Sequence, residues 1–285
     1  MGVKLTTWLD GYVEANGIKL HYYRTGGDKP QVVLNHGIAD DGLCWTHLVR
    51  ELESDFDVIM LDARGHGLSE SGRGDYLPES RATDVAEAVE KLGLEKPVIG
   101  GHSMGADTSI YLAGMYPDLP RAIFMEDPPV PMPGQPMFGG EMGKMNENGL
   151  KMMMRAMKLI KTMPRFIGKI VAKKLMPGYP DDEIDPWLDS KKRFSNDLID
   201  TMRDADSNMI QPQFSVLKKI TVPALLIMGD RDAGAIVSKA AAEKMHKSLP
   251  DLRVVHLTGA SHDIRRTRFE GYVEALKNFL GEVYE

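Results

Sequence analysis

The sequence predicts an α/β fold: a mostly parallel sheet covered by helices on both faces. Three observations carry the prediction. The runs "QVVLN" (31–35), "DVIML" (57–61) and "ALLIM" (224–228) are short and apolar throughout, as strands buried on both faces are. Stretches of helical periodicity separate them, which is the rhythm of βαβ units. Glycine-rich turns follow several of the strands, at the carboxyl edge where such sheets place their functional groups.

The elements follow in order. Gly11 to Arg24, "GYVEANGIKLHYYR", reads as a hairpin closed at Asn16-Gly17, a dipeptide suited to a primed turn. After the Gln31–Asn35 strand a helix is expected over 43–53, then the strand Asp57–Leu61 and the turn "DARGHGLS". A helix over 78–92 places Ala82, Val85, Ala86, Val89 and Leu92 on one stripe. A strand over 97–100 leads into "GHSMG", a helix to Tyr116 and a strand over 121–126. Late in the chain come the strand Ala224–Met228, a helix over 235–249, a strand over 253–257 and a helix over 269–283.

Between Pro129 and Phe214 no strand is evident. The segment opens with "DPPVPMPGQPMFGG" and continues as helices, so residues 129–214 read as a helical lid inserted into a core of 1–128 and 215–285. In 150–163 apolar residues cover most of the helix, with Met153 and Met157 on one face and Lys151, Arg155 and Lys158 as a narrow basic strip. Asp185-Pro186 reads as an N-cap and first-turn proline, with Trp187 in the first turn of the helix it starts.

Composition narrows the classes. Of 285 residues, 42% are hydrophobic and 27% charged, which is ordinary globular usage. The formal net charge of −6 offers no basic excess for a nucleic-acid backbone. No apolar run approaches the roughly 20 residues of a membrane span, and the N-terminus lacks the apolar core of a signal peptide. Cys44 is the single cysteine, so neither a disulfide framework nor a cysteine metal cluster is expected. A soluble cytoplasmic protein is the expectation.

"GHSMG", Gly101 to Gly105, fits G-x-S-x-G between strand and helix. So tight a reversal forces unusual backbone angles on Ser103, removes colliding side chains through its glycines, and lifts the hydroxyl above a helix N-terminus. A hydroxyl becomes nucleophilic only beside a base. Of eight histidines, His262 lies in a loop at the same sheet edge, five residues past the last strand, while His36, His66 and His102 sit in glycine-bounded turns that suit structural roles. The histidine needs an acid. Asp232 in "GDRD" is favoured over Asp230, and Glu126 and Asp127 in "FMEDPP" form a second candidate site. The backbone N–H groups of Met104 and of Ile38, after Gly37, are the expected oxyanion donors. No metal, nucleotide or other cofactor is required.

"NHGIADDGLCW", "DARGHGLS", "GHSMG", "MGDRD" and "GASHD" occur in an order and spacing that resemble the α/β-hydrolase superfamily, in its serine-nucleophile, esterase- or lactonase-like branch. The resemblance implies an eight-stranded sheet, a cap after the sixth strand, and a Ser103–His262–Asp232 triad with oxyanion donors Ile38 and Met104. Some lactone-cleaving members resemble an arrangement with the acid after the sixth strand, which keeps Asp127 in view. It also implies that Arg64 and His66 are scaffold. Serine at 103 separates the chain from the aspartate-nucleophile dehalogenases and epoxide hydrolases.

Candidate substrate contacts are Asp40, Trp45, Met137, Phe138, Met153, Met157 and Trp187, with Asp40 and Asp41 also suited to bonding their own turn. The surplus apolar cover of the lid suits a pocket roof first, a homodimer contact second and a membrane surface last. The expected activity is hydrolysis of a small apolar ester or lactone. C–C bond hydrolysis, perhydrolysis and slow-turnover ligand reception are the alternatives.

Overall fold

A computed structural model of the chain describes residues 8–144, 156, 158–175, 179, 181–203, 210–211 and 213–285. The expected alternation of strand and helix is present. Eight strands form one sheet: β1 (Leu9–Ala15), β2 (Ile18–Arg24), β3 (Gln31–Asn35), β4 (Asp57–Leu61), β5 (Val98–His102), β6 (Ala122–Glu126), β7 (Ala224–Met228) and β8 (Leu252–His256). Their spatial order is β1-β2-β4-β3-β5-β6-β7-β8. β1, β2 and β4 pair antiparallel, and every pairing from β4 through β3 to β8 is parallel.

The order has a functional consequence. From β3 the chain crosses through α1 (Thr46–Leu52) to β4 on one side, and from β4 through α2 (Pro78–Lys91) to β5 on the other. The loops after β3 and β5 therefore diverge, and the crevice between them is where open α/β sheets bind ligands. Residues of β3 to β7 are almost all buried, because helices lie on both faces. One core cluster joins Trp45, Leu48 and Phe56 to Tyr272, Leu276 and Phe279 of the C-terminal helix. Two others hold α2 with the first hairpin, and α3 (Met104–Met115) with β6 and β7.

The hairpin closes at Asn16 (φ 49°) and Gly17 (φ 74°), the left-handed pair a primed turn needs. The helix expected over 43–53 divides into a 3-10 turn, Gly42–Trp45, and α1, because Asp41 caps at Leu43 N–H (3.1 Å). Between β6 and β7 the described elements are helical: a short Gly140–Gly143 turn, α4 (Arg165–Leu175), α5 (Asp181–Arg193), α6 (Asn196–Arg203) and a single turn Phe214–Leu217. α5 starts a turn earlier than Asp185, so Pro186 lies inside it rather than opening it. Met153 and Met157 lie outside the described residues, so their expected place over the site has no structural account. No described helix is long and apolar enough to cross a membrane.

Candidate active site

β5 ends at His102 and α3 begins at Met104, leaving Ser103 alone at the reversal with φ 52° and ψ −115°. A non-glycine residue held there stores about 1–3 kcal/mol and persists only where its surroundings fix it. They do so here: Ser103 N–H donates to Glu126 O of β6 at 2.9 Å. Space explains the neighbouring glycines. A Cβ on Gly101 would lie 2.2 Å from Asn35 O, and one on Gly105 2.0 Å from the same oxygen. Any larger residue would push β3 away from the elbow. Met104 N–H belongs to the first turn of α3, where no intrahelical acceptor exists.

The partner of His262 is Asp127. Asp127 follows β6, is fully buried, and takes φ 44°. Its Oδ2 accepts from His262 Nδ1 (2.7 Å) and Ile236 N–H (2.7 Å), and its Oδ1 accepts from Val237 N–H (2.9 Å). With the proton on Nδ1, the Nε2 lone pair of His262 is free to take one. Burial opposes the imidazolium, but the bond to Asp127 and the charges of Asp127, Asp263 and Glu126 outweigh it and raise the His262 pKa above its ordinary 6.5.

Asp232, the acid favoured from sequence, is displaced from this role. After β7 the chain enters a 3-10 turn, Arg231–Ala233, that leaves Asp232 exposed. It then returns and delivers the N–H groups of Ile236 and Val237 to Asp127. The β7 loop thus holds the carboxylate rather than supplying it. Asp230 bonds its own loop edge, to His256 Nε2 and Gly259 N–H, both at 2.6 Å. Glu126 is also engaged elsewhere, accepting from Arg265 N–H (2.9 Å) and Arg265 Nη1 (3.2 Å). That anchors the short helix Ile264–Thr267 immediately after His262.

His102 ties the two halves together. Its Nε2 donates to His262 O at 3.1 Å, and the two rings lie 4.5 Å apart. Burial and the adjacent His262 hold its pKa well below 6.5, so it is a neutral anchor. Facing it, a Cβ on Gly37 would lie 2.7 Å from His102 Nδ1 and 3.6 Å from Ser103 Cβ, so the loop after β3 passes against the elbow. Gly37 O accepts from His36 Nδ1 (2.7 Å) and Asp40 N–H (3.2 Å). In a trans peptide the N–H points opposite the C=O, so Ile38 N–H is turned away from that knot. Ile38 is half-buried in a stretch whose neighbours are buried.

The remaining candidates divide. Phe138 meets His262 edge-on at 5.8 Å between ring centroids. Met137 precedes it, its carbonyl held by Arg231 Nη1 at 2.6 Å. Trp187 is half-buried on α5, with Lys191 Nζ 5.0 Å over its ring. Trp45 is not a cleft residue: it is fully buried in the core, with the Arg265 guanidinium 4.2 Å over its ring. Asp40 is not available to a substrate either. Its Oδ1 lies 2.5 Å from Lys191 Nζ and its Oδ2 3.4 Å from Arg266 Nη1 and Nη2. Burial alone would raise its pKa, but Lys191, Arg266 and Arg265 hold it well below the usual carboxylate range.

Sequence reasoning passed over Arg231, Lys191, Arg265 and Arg266, whose neighbours are distant in the chain. Arg64 is scaffold as expected, forked onto Asp84 at 2.6 Å twice. Among the described residues no group of His, Cys, Asp and Glu is arranged to hold a metal ion.

A family profile for the alpha/beta hydrolase fold matches residues 30–264. The chain belongs to the α/β-hydrolase family. This α/β hydrolase is 28% identical over 282 residues to the N-formylmaleamate deformylase of Pseudomonas putida, covering 95% of this chain and 96% of that one. It is 27% identical over 261 residues to the 2-(acetamidomethylene)succinate hydrolase of Mesorhizobium japonicum, covering 90% of each. Among solved structures, an N-formylmaleamic acid deformylase from Pseudomonas putida shares the hydrolase's fold with a TM-score of 0.79 at 22% identity, over 94% of this chain and 100% of that one.

Proposed function

We propose that this α/β hydrolase cleaves a small carboxylic-acid derivative through an acyl-enzyme on Ser103. One observation carries the reading: the strained serine and the Asp127–His262 pair are joined at the same sheet edge through His102, which precedes the one and bonds the other. Ser103 Oγ attacks the carbonyl carbon while His262 Nε2 takes its proton. The N–H groups of Ile38 and Met104 receive the developing oxyanion. Asp127 fixes the tautomer and stabilises the imidazolium. His262 then gives the proton to the leaving group, and water, deprotonated by the same nitrogen, releases the acid. The chemistry draws on side chains and backbone alone. The helices between β6 and β7 act as the lid, with Phe138 and Trp187 as its contacts to substrate.

An ester or lactone is the substrate class this arrangement serves most directly. A small amide is the second reading, favoured by the two relatives aligned along almost the whole chain, whose names describe a deformylase and a hydrolase of acylamino compounds.

The test is a rate series on p-nitrophenyl esters from acetate to decanoate, beside N-formyl and N-acetyl amides, for wild type and Ser103→Ala. Fluorophosphonate labelling is read by peptide mass. Turnover lost in Ser103→Ala, with the label on Ser103, is expected. Ester rates far above amide rates select the first reading, and the reverse order selects the second. Turnover that survives Ser103→Ala, or a label elsewhere, overturns the acyl-enzyme.

A further inference from the structure

The loop that offers Ile38 N–H is not held by the core alone. Lys191, on the last turn of α5, reaches across to it with a side chain only 11% exposed. Its ammonium donates to Ala39 O at 2.8 Å and to Asp40 Oδ1 at 2.5 Å. Ala39 is itself left-handed, at φ 61°. A residue with a Cβ rests there at a cost, and only while its surroundings hold it. Asp40 N–H in turn donates to Gly37 O, one of the two bonds that turn the Gly37–Ile38 peptide. A chain of contacts therefore runs from α5 through Lys191, Ala39 and Asp40 to the peptide whose N–H is the oxyanion donor.

We propose that Lys191 is a positioning residue that makes the oxyanion hole conditional on the seating of α5 against the core. The inference rests on the acyl-enzyme reading above. A seated α5 places the ammonium at Ala39 O and Asp40, and the Gly37–Ile38 peptide keeps its orientation. With α5 lifted, Ala39 relaxes from its left-handed conformation and Ile38 N–H loses its aim. The hydrolase then binds substrate in the open state without stabilising the tetrahedral intermediate, and turns over only when closed. Lys191 touches no reacting atom in this account, and the Trp187 ring lies beside its ammonium at 5.0 Å.

Lys191→Met keeps the unbranched stem of the side chain and removes the ammonium. Loss of one oxyanion donor costs on the order of 10²-fold in kcat. The expected result is a kcat reduced by about that factor, KM within a few-fold of wild type, and affinity for a boronic acid analogue of the tetrahedral state reduced in step with kcat. In Lys191→Ala, added propylammonium restores kcat. Asp40→Asn keeps shape and removes the loop's charge, and it carries the same test should Lys191→Met lose the wild-type melting transition. An unchanged kcat, or a raised KM with unchanged kcat, overturns the proposal, the second by making Lys191 a substrate contact. If the wild type itself shows neither turnover nor a fluorophosphonate label on Ser103, it is the acyl-enzyme reading that fails.

Discussion

His262 Nδ1 lies 2.7 Å from Asp127 Oδ2, and the same oxygen accepts the N–H of Ile236. The carboxylate, on the loop after β6, is thus held from two others, the loop after β7 and the one after β8. Asp127→Asn removes the charge while keeping the shape. The amide can present its nitrogen to His262 only in the wrong tautomer, so kcat should fall by about 10³–10⁴-fold. Asp232→Asn, at an exposed position, should change kcat less than two- or three-fold. Steady-state rates for the two variants decide between the acids, and a larger loss in Asp232→Asn would sink the assignment.

The same pair sets a pH dependence. Burial of His262 favours the neutral ring, but the Asp127 bond and surrounding carboxylates win and raise its pKa. A general base must be neutral to accept a proton, so kcat/KM should rise with pH through an acid limb centred above 6.5. In Asp127→Asn the main source of the upward shift is gone, and the limb of the residual activity should move to lower pH. Rate profiles between pH 5 and 9 test both statements. An acid limb unmoved by Asp127→Asn would show that another group titrates there.

The parts of the molecule legible in the sequence are those set locally. Strands covered on both faces become unbroken apolar runs, and the elbow is written within five residues because its crowding against Asn35 O demands glycine at 101 and 105. His262 can be singled out among the histidines by its distance past β8. The carboxylate that meets it cannot, because Asp127, Asp230 and Asp232 all follow strands at the right edge, and only packing decides which carboxylate receives the N–H groups of Ile236 and Val237. Pro186 misled for a related reason: a proline suits a first turn, but the tertiary contacts of α5 carry the helix through it. Lys191 stands in "SKKR", a run that reads as a solvated face until the loop after β3 is brought against it.

Arg231 stands between the two aspartates that drew attention in "GDRD", and its function is to hold carbonyls. Its Nη1 donates to Met137 O and Ile236 O at 2.6 Å and to Ala235 O at 3.2 Å, while Nη2 donates to Pro136 O (2.8 Å) and Phe138 O (3.1 Å). One guanidinium thus clamps the loop that places Phe138 against His262. Arg231→Ala should free that loop, raise KM by about 10-fold, and cost about 2 kcal/mol of stability from lost charge-assisted bonds. Arg231→Lys keeps the charge but not the fork, and should recover only part of either effect. Kinetics beside denaturant titration measure both, and a kcat loss exceeding the KM change would move Arg231 from the lid to the chemistry.

The pairing of Arg266 with Glu183 ties α5 to the core a few residues from His262. Arg266 Nε lies 2.5 Å from Glu183 Oε2, both side chains 2% exposed, and Arg266 Nη1 lies 2.7 Å from Asp263 Oδ1. Asp263 also accepts from Tyr179 OH at 2.5 Å. Two charges so deeply buried contribute little net stability as a pair, because desolvation offsets most of their attraction. Breaking the pair is another matter. Glu183→Gln removes one of three counter-charges of Arg266, leaving Asp40 and Asp263, and should cost about 1.5–3 kcal/mol, whereas Glu183→Gln with Arg266→Met should cost clearly less than the sum of the single changes. Urea midpoints at constant slope supply the comparison. Additive costs would mean that the two side chains are stabilised independently, and that α5 is seated by its apolar contacts and by Lys191 rather than by this pair.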